Sequence, residues 1–556
     1  MKLSNSLEER GIPALAASSA SPLLGEPAAL DQGLLEVGER ITLMRDGLIN
    51  YAGFVVSGFV GIALVPLFLR RLGAEAYGMW AVAVTVAGWG AVILDFGLSW
   101  SISREIAARD SSNDDEAIRY VAAGANVYLL TGIFGAMGIA VLGIPIVSSM
   151  SLSVSNHRTG LIAFALIGVT FLTGQMTMYS MSVLRGLRRF DMSSGISGCA
   201  AILWGAGAVL VLKSHAGLVG ILTWQLVSSA IGAVAGMLII GRLEPAFRFR
   251  LLRPAWSSLR RRLAFSLKSQ LSGAMGTLIW GTAPLIIGTM LGAAQVVPYY
   301  VGMKAPIAVS WIGWHASEVL FYAASGSTRQ QDVRGRDMIE LGTRWNLVLV
   351  IPVCIVLLAF APDLLHAWLR HIDPATVSIM RLMTVVVLID IVAMPSMNVL
   401  WGRGEANTLL FILVITAVIE IGLTIWLLPR MGVIGTGWAA LAAFTFATVA
   451  IMQTAAVECG SNLVRVLYAA SKDLVVPILS CAGVAFLLAQ TISARGLGSL
   501  GLVAAAICLS YYIAIWICGV RDEERFFIVK TFDLLSGTTG YLYGRMLRLL
   551  PLRNAQ

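Results

Sequence analysis

The chain has 556 residues, 57% of them hydrophobic and 13% charged, with a formal net charge of +9 and a mean hydropathy of +0.81. A soluble domain carries about 25% charged residues, so the composition excludes a soluble enzyme and describes an all-α polytopic membrane protein. Six scattered cysteines (Cys199, Cys354, Cys459, Cys481, Cys508, Cys518), mostly in apolar runs and without C-x-x-C spacing, read as small core hydrophobes rather than a disulfide frame or zinc site.

In chain order, residues 1–45 carry two early glutamates and no sustained apolar core. They are not a signal peptide, and their Ala, Ser, Pro and Gly content predicts a flexible cytosolic tail. A spanning helix needs about 20 mainly apolar residues. Such runs occur near Gly47–Leu69, Tyr77–Leu98, Tyr120–Ile146, Leu161–Leu184, Met192–Leu212 and Ala216–Gly241. They continue near Leu271–Gly292, Val297–Tyr322, Trp345–Leu369, Val377–Leu400, Asn407–Leu428, Gly432–Val457, Leu474–Ala494 and Gly496–Val520. Fourteen spans put both termini on one side. That side collects 31 of the 40 lysines and arginines against 7 on the other, so both termini are expected in the cytosol.

The chain also repeats itself. Arg70–Trp80 (RRLGAEAYGMW) matches Thr289–Met303 at an offset of 219, Val183–Phe190 matches Val399–Ala406 at 216, and Gly217–Gly220 matches Gly432–Gly435 at 215. Six spans per copy make the repeat parallel, with an axis along the membrane normal. The expected organisation is a six-helix lobe over 46–242, a basic linker over 243–268, and a second six-helix lobe over 269–458. Helices 13 and 14 follow over 459–520, then a cytosolic tail over 521–556. The linker's cations suit an anionic lipid surface.

Several motifs point elsewhere and fail. Asp95-Phe96-Gly97 spells a kinase metal-binding element, but no Gly-rich loop, V-A-I-K strand or HRD loop accompanies it. The G-x-G-x-x-G at Gly496, Gly498 and Gly501 lies between two spans with no preceding strand, and no P-loop occurs. The far-side loops are too short for the catalytic groups of a membrane glycosyltransferase or polymerase.

Ionisable residues inside spans are site candidates by default. Those that stand out are the cations Lys304 and, more weakly, Arg381, and the acids Asp95, Glu318, Asp390 and Glu420. Aligned on Tyr77 and Tyr300, Asp95 falls on Glu318, about 27 Å down the helix from each tyrosine. That suits a pair at the inner mouth of each lobe, either gating or structural. Asp390 and Glu420 lie nearer mid-span, where a carboxylate serves proton or cation coupling or is held in helix packing.

The stretch VPLFLRRLGAEAYGMWAV followed by LDFGLSWSISREIA resembles the opening of Wzx-type polysaccharide-biosynthesis flippases of the multidrug/oligosaccharidyl-lipid/polysaccharide (MOP) exporter superfamily. The resemblance is carried by Leu72, Gly73, Tyr77, Gly78, Trp80, Asp95, Gly97, Leu98 and Arg104, and it is clear over roughly the first 190 residues. It implies a flippase moving undecaprenyl-diphosphate-linked oligosaccharide across the bacterial inner membrane by alternating access, for O-antigen, capsule or exopolysaccharide synthesis. It further implies Lys304, and more weakly Arg381, as diphosphate-binding cations; the position of the charges makes Asp95, Arg104, Glu318, Asp390 and Glu420 the candidates for gating or coupling. Membrane lipids and the glycan polymerase and chain-length proteins are the implied partners; no cofactor, metal or nucleic acid is. The competing readings are a drug/cation antiporter of the same superfamily and the disfavoured membrane glycosyltransferase.

Overall fold

The first membrane segment folds back on itself at a glycine. The computed structural model describes residues 27–107, 114–150, 152–247, 256–325, 332–370, 373–491 and 496–520. In α1 (Pro27–Ile93) the backbone is helical except at Gly73, where φ is 81° and ψ is 169°. A continuous helix would hold Phe68 and Trp80 about 18 Å apart, yet their ring centroids stand 5.7 Å apart. The segment is therefore a hairpin of two helical arms, and glycine adopts the required backbone without a β-carbon clash. The helix starts at Pro27, well before the expected end of the flexible tail at residue 45. Proline suits a first helical turn, and Leu34, Val37, Ile41 and Met44 recur at helical spacing. Residues 1–26 and 521–556 lie outside the described residues, as does most of what was expected of the two tails.

The rest of the first lobe is α2 (Leu98–Ala107), α3 (Asp114–Ser149), α4 (Val154–Gly186), α5 (Phe190–Lys213) and α6 (Gly217–Leu243). The second lobe holds α7 (Trp256–Leu291), α8 (Val296–Gly302), α9 (Lys304–Ser325) and α10 (Asp332–Ala359). It continues with α11 (Ala361–Leu369), α12 (Pro374–Gly402), α13 (Ala406–Met431) and α14 (Ile434–Glu458). The short α15 (Leu463–Ser471) leads to α16 (Val475–Thr491) and α17 (Leu497–Ala514). No strand occurs among the described residues.

Among the described residues, twelve helices are long and apolar enough to cross a membrane, against fourteen expected. The difference lies in two places. The stretch Val56–Ile93 holds both arms of the Gly73 hairpin, and the run expected over Val297–Tyr322 breaks at Met303 into α8 and α9. Pro306, in the first turn of α9, has no N–H to offer the Gly302 carbonyl, which favours the restart.

The duplication is written in the backbone. Gly73 (φ 81°, ψ 169°) and Gly292 (φ 94°, ψ 161°) make the same turn 219 residues apart. Arg188 (φ 55°) and Gly404 (φ 85°) end equivalent helices at the 216 offset. There, amides 187, 188 and 189 donate to carbonyls 183, 185 and 184, and amides 403, 404 and 405 donate to 399, 401 and 400. Gly217 and Gly432, at the 215 offset, share φ 62°.

Helix packing explains how these lobes hold together in lipid, where burial of apolar surface drives little and close approach matters more. Within the first lobe Gly168 lies against the Ala136 carbonyl, where an added β-carbon would stand 2.6 Å from the oxygen. The largest core joins both lobes: Met79 and Val82 pack with Ile287, Val296 and Met383. Helices α16 and α17 pack on α10 through Leu474, Cys481, Ile507 and Tyr511. An ion pair fixes the same junction. Arg344, fully buried on α10, sits 3.4 Å from Asp473 at the foot of α16, so that a charge taken out of water keeps a counter-charge.

Candidate functional site

The two copies of the repeat meet at the end of the bundle that carries the Gly73 and Gly292 turns. A β-carbon on Gly78 would stand 1.8 Å from the Ala293 carbonyl oxygen, so only glycine permits this approach. The aromatic residues beside it interlock across the repeats. Tyr77 and Trp80 of α1 each lie 6.0 Å from Tyr300 of α8, edge-on, and Phe68 joins them to Trp204 at 5.9 Å. Such edge-to-face pairs add about 0.5–1.5 kcal/mol each beyond burial. Trp80 Nε1 donates to Gln225 Oε1 at 3.3 Å, tying in α6. Tyr77 and Tyr300, one from each copy of the repeat, thus pack against each other. At the opposite end, Gln270 Nε2 of α7 donates to the Val92 carbonyl at 2.9 Å. Among the described residues the lobes are thus sealed by close packing at one end, and this hydrogen bond is one of the links at the other.

Lys304 opens α9 half-buried at this seal, its Nζ 4.2 Å above the Tyr300 ring, a cation–π contact. Arg381 is exposed on α12, and its Nε donates to the Leu358 carbonyl at 3.1 Å, near the α10–α11 junction. The two cations therefore occupy different surroundings.

Asp95 is buried in the turn between α1 and α2, where Phe96 (φ 50°) and Gly97 (φ 75°) reverse the backbone. Its carboxylate accepts from Tyr128 of α3 and, at 2.9 Å, from Ser99 of α2. The turn lets α2 lie across the lobe with Leu98, Ile102 and Ile106 buried and Arg104 exposed. Gly186 accommodates Ile106, since a β-carbon there would stand 2.7 Å away. Glu318 lies within the uninterrupted helix α9, and its side chain lies outside the described residues. The two acids are not equivalent in the backbone. Counted from the matched Gly73 and Gly292, Glu318 comes four positions later than Asp95, the short helical turn Ala293–Gln295 and the Met303 break intervening in the second copy only.

Glu420 is buried midway along α13, and no hydrogen-bond donor reaches its Oε2 among the described residues. Asp390 is half-buried on α12, beside a proline-induced gap. Pro395 denies the Ile391 carbonyl its helical partner, and Asn346 Nδ2 of α10 supplies one at 3.0 Å while also donating to Ser317 at 2.8 Å. Thr343 and Thr448 donate to the neighbouring Val392 and Ile389 carbonyls. Among the described residues no group of three His, Cys, Asp or Glu side chains is placed to hold a metal.

Sequence reasoning missed Gln225, Asn346 and Arg344, and it singled out Gly78 as a motif residue without the contact that it makes. Gly78 and Pro395 were visible as residue types that need a reason; the partners they face were not.

Residues 43–309 match the family described as polysaccharide biosynthesis protein. That stretch is just under half of the chain. The match contains the motif residues Leu72 to Arg104 and runs through Lys304. A Shigella flexneri protein named for O-antigen transport is 25% identical over 170 residues, 29% of this chain. The chain spans 40% of that relative's length. Among solved structures, the lipid II flippase MurJ in an inward closed conformation aligns with a TM-score of 0.64 at 10% identity, covering 84% of this chain and 98% of that one. An inward-facing multidrug resistance MATE family transporter of the MOP superfamily aligns with a TM-score of 0.57 at 14% identity, covering 74% and 94%. The fold is thus the one that these two transporters share.

Proposed function

We propose that this protein is a flippase of the bacterial inner membrane that moves a polyprenyl-diphosphate-linked oligosaccharide between leaflets by alternating access. The observation that carries the reading is the seal at Gly78 and Ala293: a contact across the repeat axis that must part if a large headgroup is to leave at that end. The family match and the fold support transport rather than catalysis. The cation bias of the loops supports cytosolic termini, with the seal on the far side.

A diphosphate in a low-dielectric passage needs compensating cations. Lys304, resting on Tyr300 at the seal, is released toward the passage when the lobes part, which links substrate charge to opening; Arg381 is the secondary cation. Asp390, beside the Pro395 gap, and the unpartnered Glu420 are the coupling carboxylates. Asp95 bonds only within its own lobe among the described contacts, so its role is to hold the α1–α2 turn and, with it, Arg104. Glu318, near the end of α9, is a separate gating candidate. The glycan polymerase and chain-length proteins are expected partners.

A drug/cation antiporter is the second reading, favoured by the buried, unpartnered Glu420 carboxylate. Proteoliposomes carrying a fluorescent polyprenyl-diphosphate oligosaccharide separate the two. Protein-dependent movement of the label between leaflets supports the flippase, and extrusion of a cationic dye without lipid movement supports the antiporter.

A further inference from the structure

Away from the seal, α5 and α6 leave a groove of about 350 Å³ open to the bilayer. Its walls include Met192, Gly195, Cys199 and Leu203 of α5 and Gly232 and Ile239 of α6. The hydroxyl in its lining, Ser228, donates to the Gln225 carbonyl at 3.0 Å and so asks nothing of an occupant. From Met192 to Leu203 the groove runs about 16 Å at 1.5 Å per residue, close to half of the roughly 30 Å hydrocarbon core. It is one leaflet long.

The glycines that shape it do not serve helix packing. Other glycines of the same two helices do: a β-carbon on Gly207 would stand 1.9 Å from Trp224, and one on Gly236 would stand 2.7 Å from Ser180. At Gly195 a β-carbon would meet nothing within 4 Å, and at Gly232 only Ala200, at 3.8 Å. Glycine inside a helix weakens it relative to alanine, and here no protein contact is gained in return. What these positions keep is empty space beside apolar walls.

The Met192–Ile239 end of the groove opens where cations gather. Arg185 ends α4, Arg188 lies in the α4–α5 turn and Arg242 lies in the last turn of α6; all three are exposed. Arg189 is held by Asp191 at 3.0 Å, and Glu244 is the other acid nearby. In the sequence Arg248, Arg250 and Arg253 follow directly. We infer that the α5–α6 groove is a binding site for an anionic diacyl phospholipid, one acyl chain lying in the groove and the phosphate facing Arg188 and Arg242. A single-leaflet length fits an acyl chain and is far too short for a long polyprenyl tail. The inference does not depend on what the protein transports.

The test is native mass spectrometry of the delipidated full-length protein titrated with phosphatidylglycerol and with phosphatidylcholine of the same acyl chains. Wild type is expected to retain one phosphatidylglycerol in preference to phosphatidylcholine. Gly195→Leu with Gly232→Leu fills the groove from positions with room for a side chain, and is expected to lose the retained lipid at an unchanged or raised Tm. Arg188→Gly with Arg242→Gln keeps the backbone, since Gly404 makes the same turn in the second repeat. Each cation near an anionic headgroup contributes about fivefold, so this pair is expected to weaken phosphatidylglycerol about 30-fold, toward the phosphatidylcholine level. If the leucine pair fails to fold, the arginine pair decides. Equal retention of both lipids by wild type, or wild-type retention by the arginine variant, overturns the proposal. So does displacement of phosphatidylglycerol by undecaprenyl phosphate, which would give the groove to the transported lipid. Cross-linking of two copies through the exposed Cys199 in native membranes would make the groove a self-interface and would overturn the proposal as well.

Discussion

Replacing Gly78 with alanine asks whether the seal between the repeats is part of a working cycle. The new β-carbon would stand 1.8 Å from the Ala293 oxygen and 2.6 Å from its carbonyl carbon. Ordinary carbon contacts lie near 3.5–4.0 Å, so the two backbones must separate by somewhat more than about 1 Å. Neither neighbour is a flexible side-chain tip that can swing aside. Overpacking of this kind costs about 1–3 kcal/mol, and only the sealed state bears it. The ratio of sealed to open states then falls by roughly 5- to 150-fold. Spin labels at Ala74 and Ala294, both exposed on the facing turns, read this directly in a background without the exposed Cys199 and Cys518. Their distance distribution should shift to longer separations, and substrate movement should slow. Gly78→Leu should do more of both. Unchanged distances together with normal transport in both variants would refute the gating role of the contact.

Lys304→Glu should block glycan export and strand lipid-linked repeat units on the cytosolic leaflet, whereas Lys304→Arg should retain much more activity; normal export by Lys304→Glu would mean that the lysine only packs on Tyr300. Glu420→Gln keeps shape and removes the charge, so transport into proteoliposomes should lose its dependence on an imposed pH or sodium gradient while expression and Tm hold; a gradient response equal to wild type would remove Glu420 from coupling. Asn346→Ala leaves the Ile391 carbonyl unsatisfied at a cost of about 1–3 kcal/mol, read as a drop in Tm, and Pro395→Ala should recover part of it by restoring the missing N–H. Strict additivity in that double-mutant cycle would show that the asparagine does not serve the proline gap.

The repeat was legible because its turns are made by residues that stand out. Gly73, Gly217, Gly292, Gly404 and Gly432 take positive φ, and such positions punctuate an otherwise uniform apolar text. The span count was less so. A single charge, Lys304, marks the Met303 break, and the Gly73 turn interrupts a run that is helical on both sides. The pairing of Asp95 with Glu318 rested on aligning two tyrosines, and the extra turn after Gly292 shows why that register differs from the one set by the glycines. The candidate carboxylates could be found from the sequence because charge is rare here. What surrounds them could not. Glu420 is buried midway along α13, and Asp390 sits by Pro395 with Asn346 supplied from α10. Arg344 illustrates the same limit. It reads as one more loop cation just before a span, and only the docking of α16 makes it a fully buried ion-pair partner.

The most direct test of the central claim is leaflet-to-leaflet movement of a fluorescent undecaprenyl-diphosphate oligosaccharide in proteoliposomes, followed by quenching from outside. The account predicts movement that requires the wild-type protein, falls with Lys304→Glu and stalls with Gly78→Leu. Wild-type vesicles that move no labelled lipid while exchanging a cationic drug for protons or sodium would contradict it.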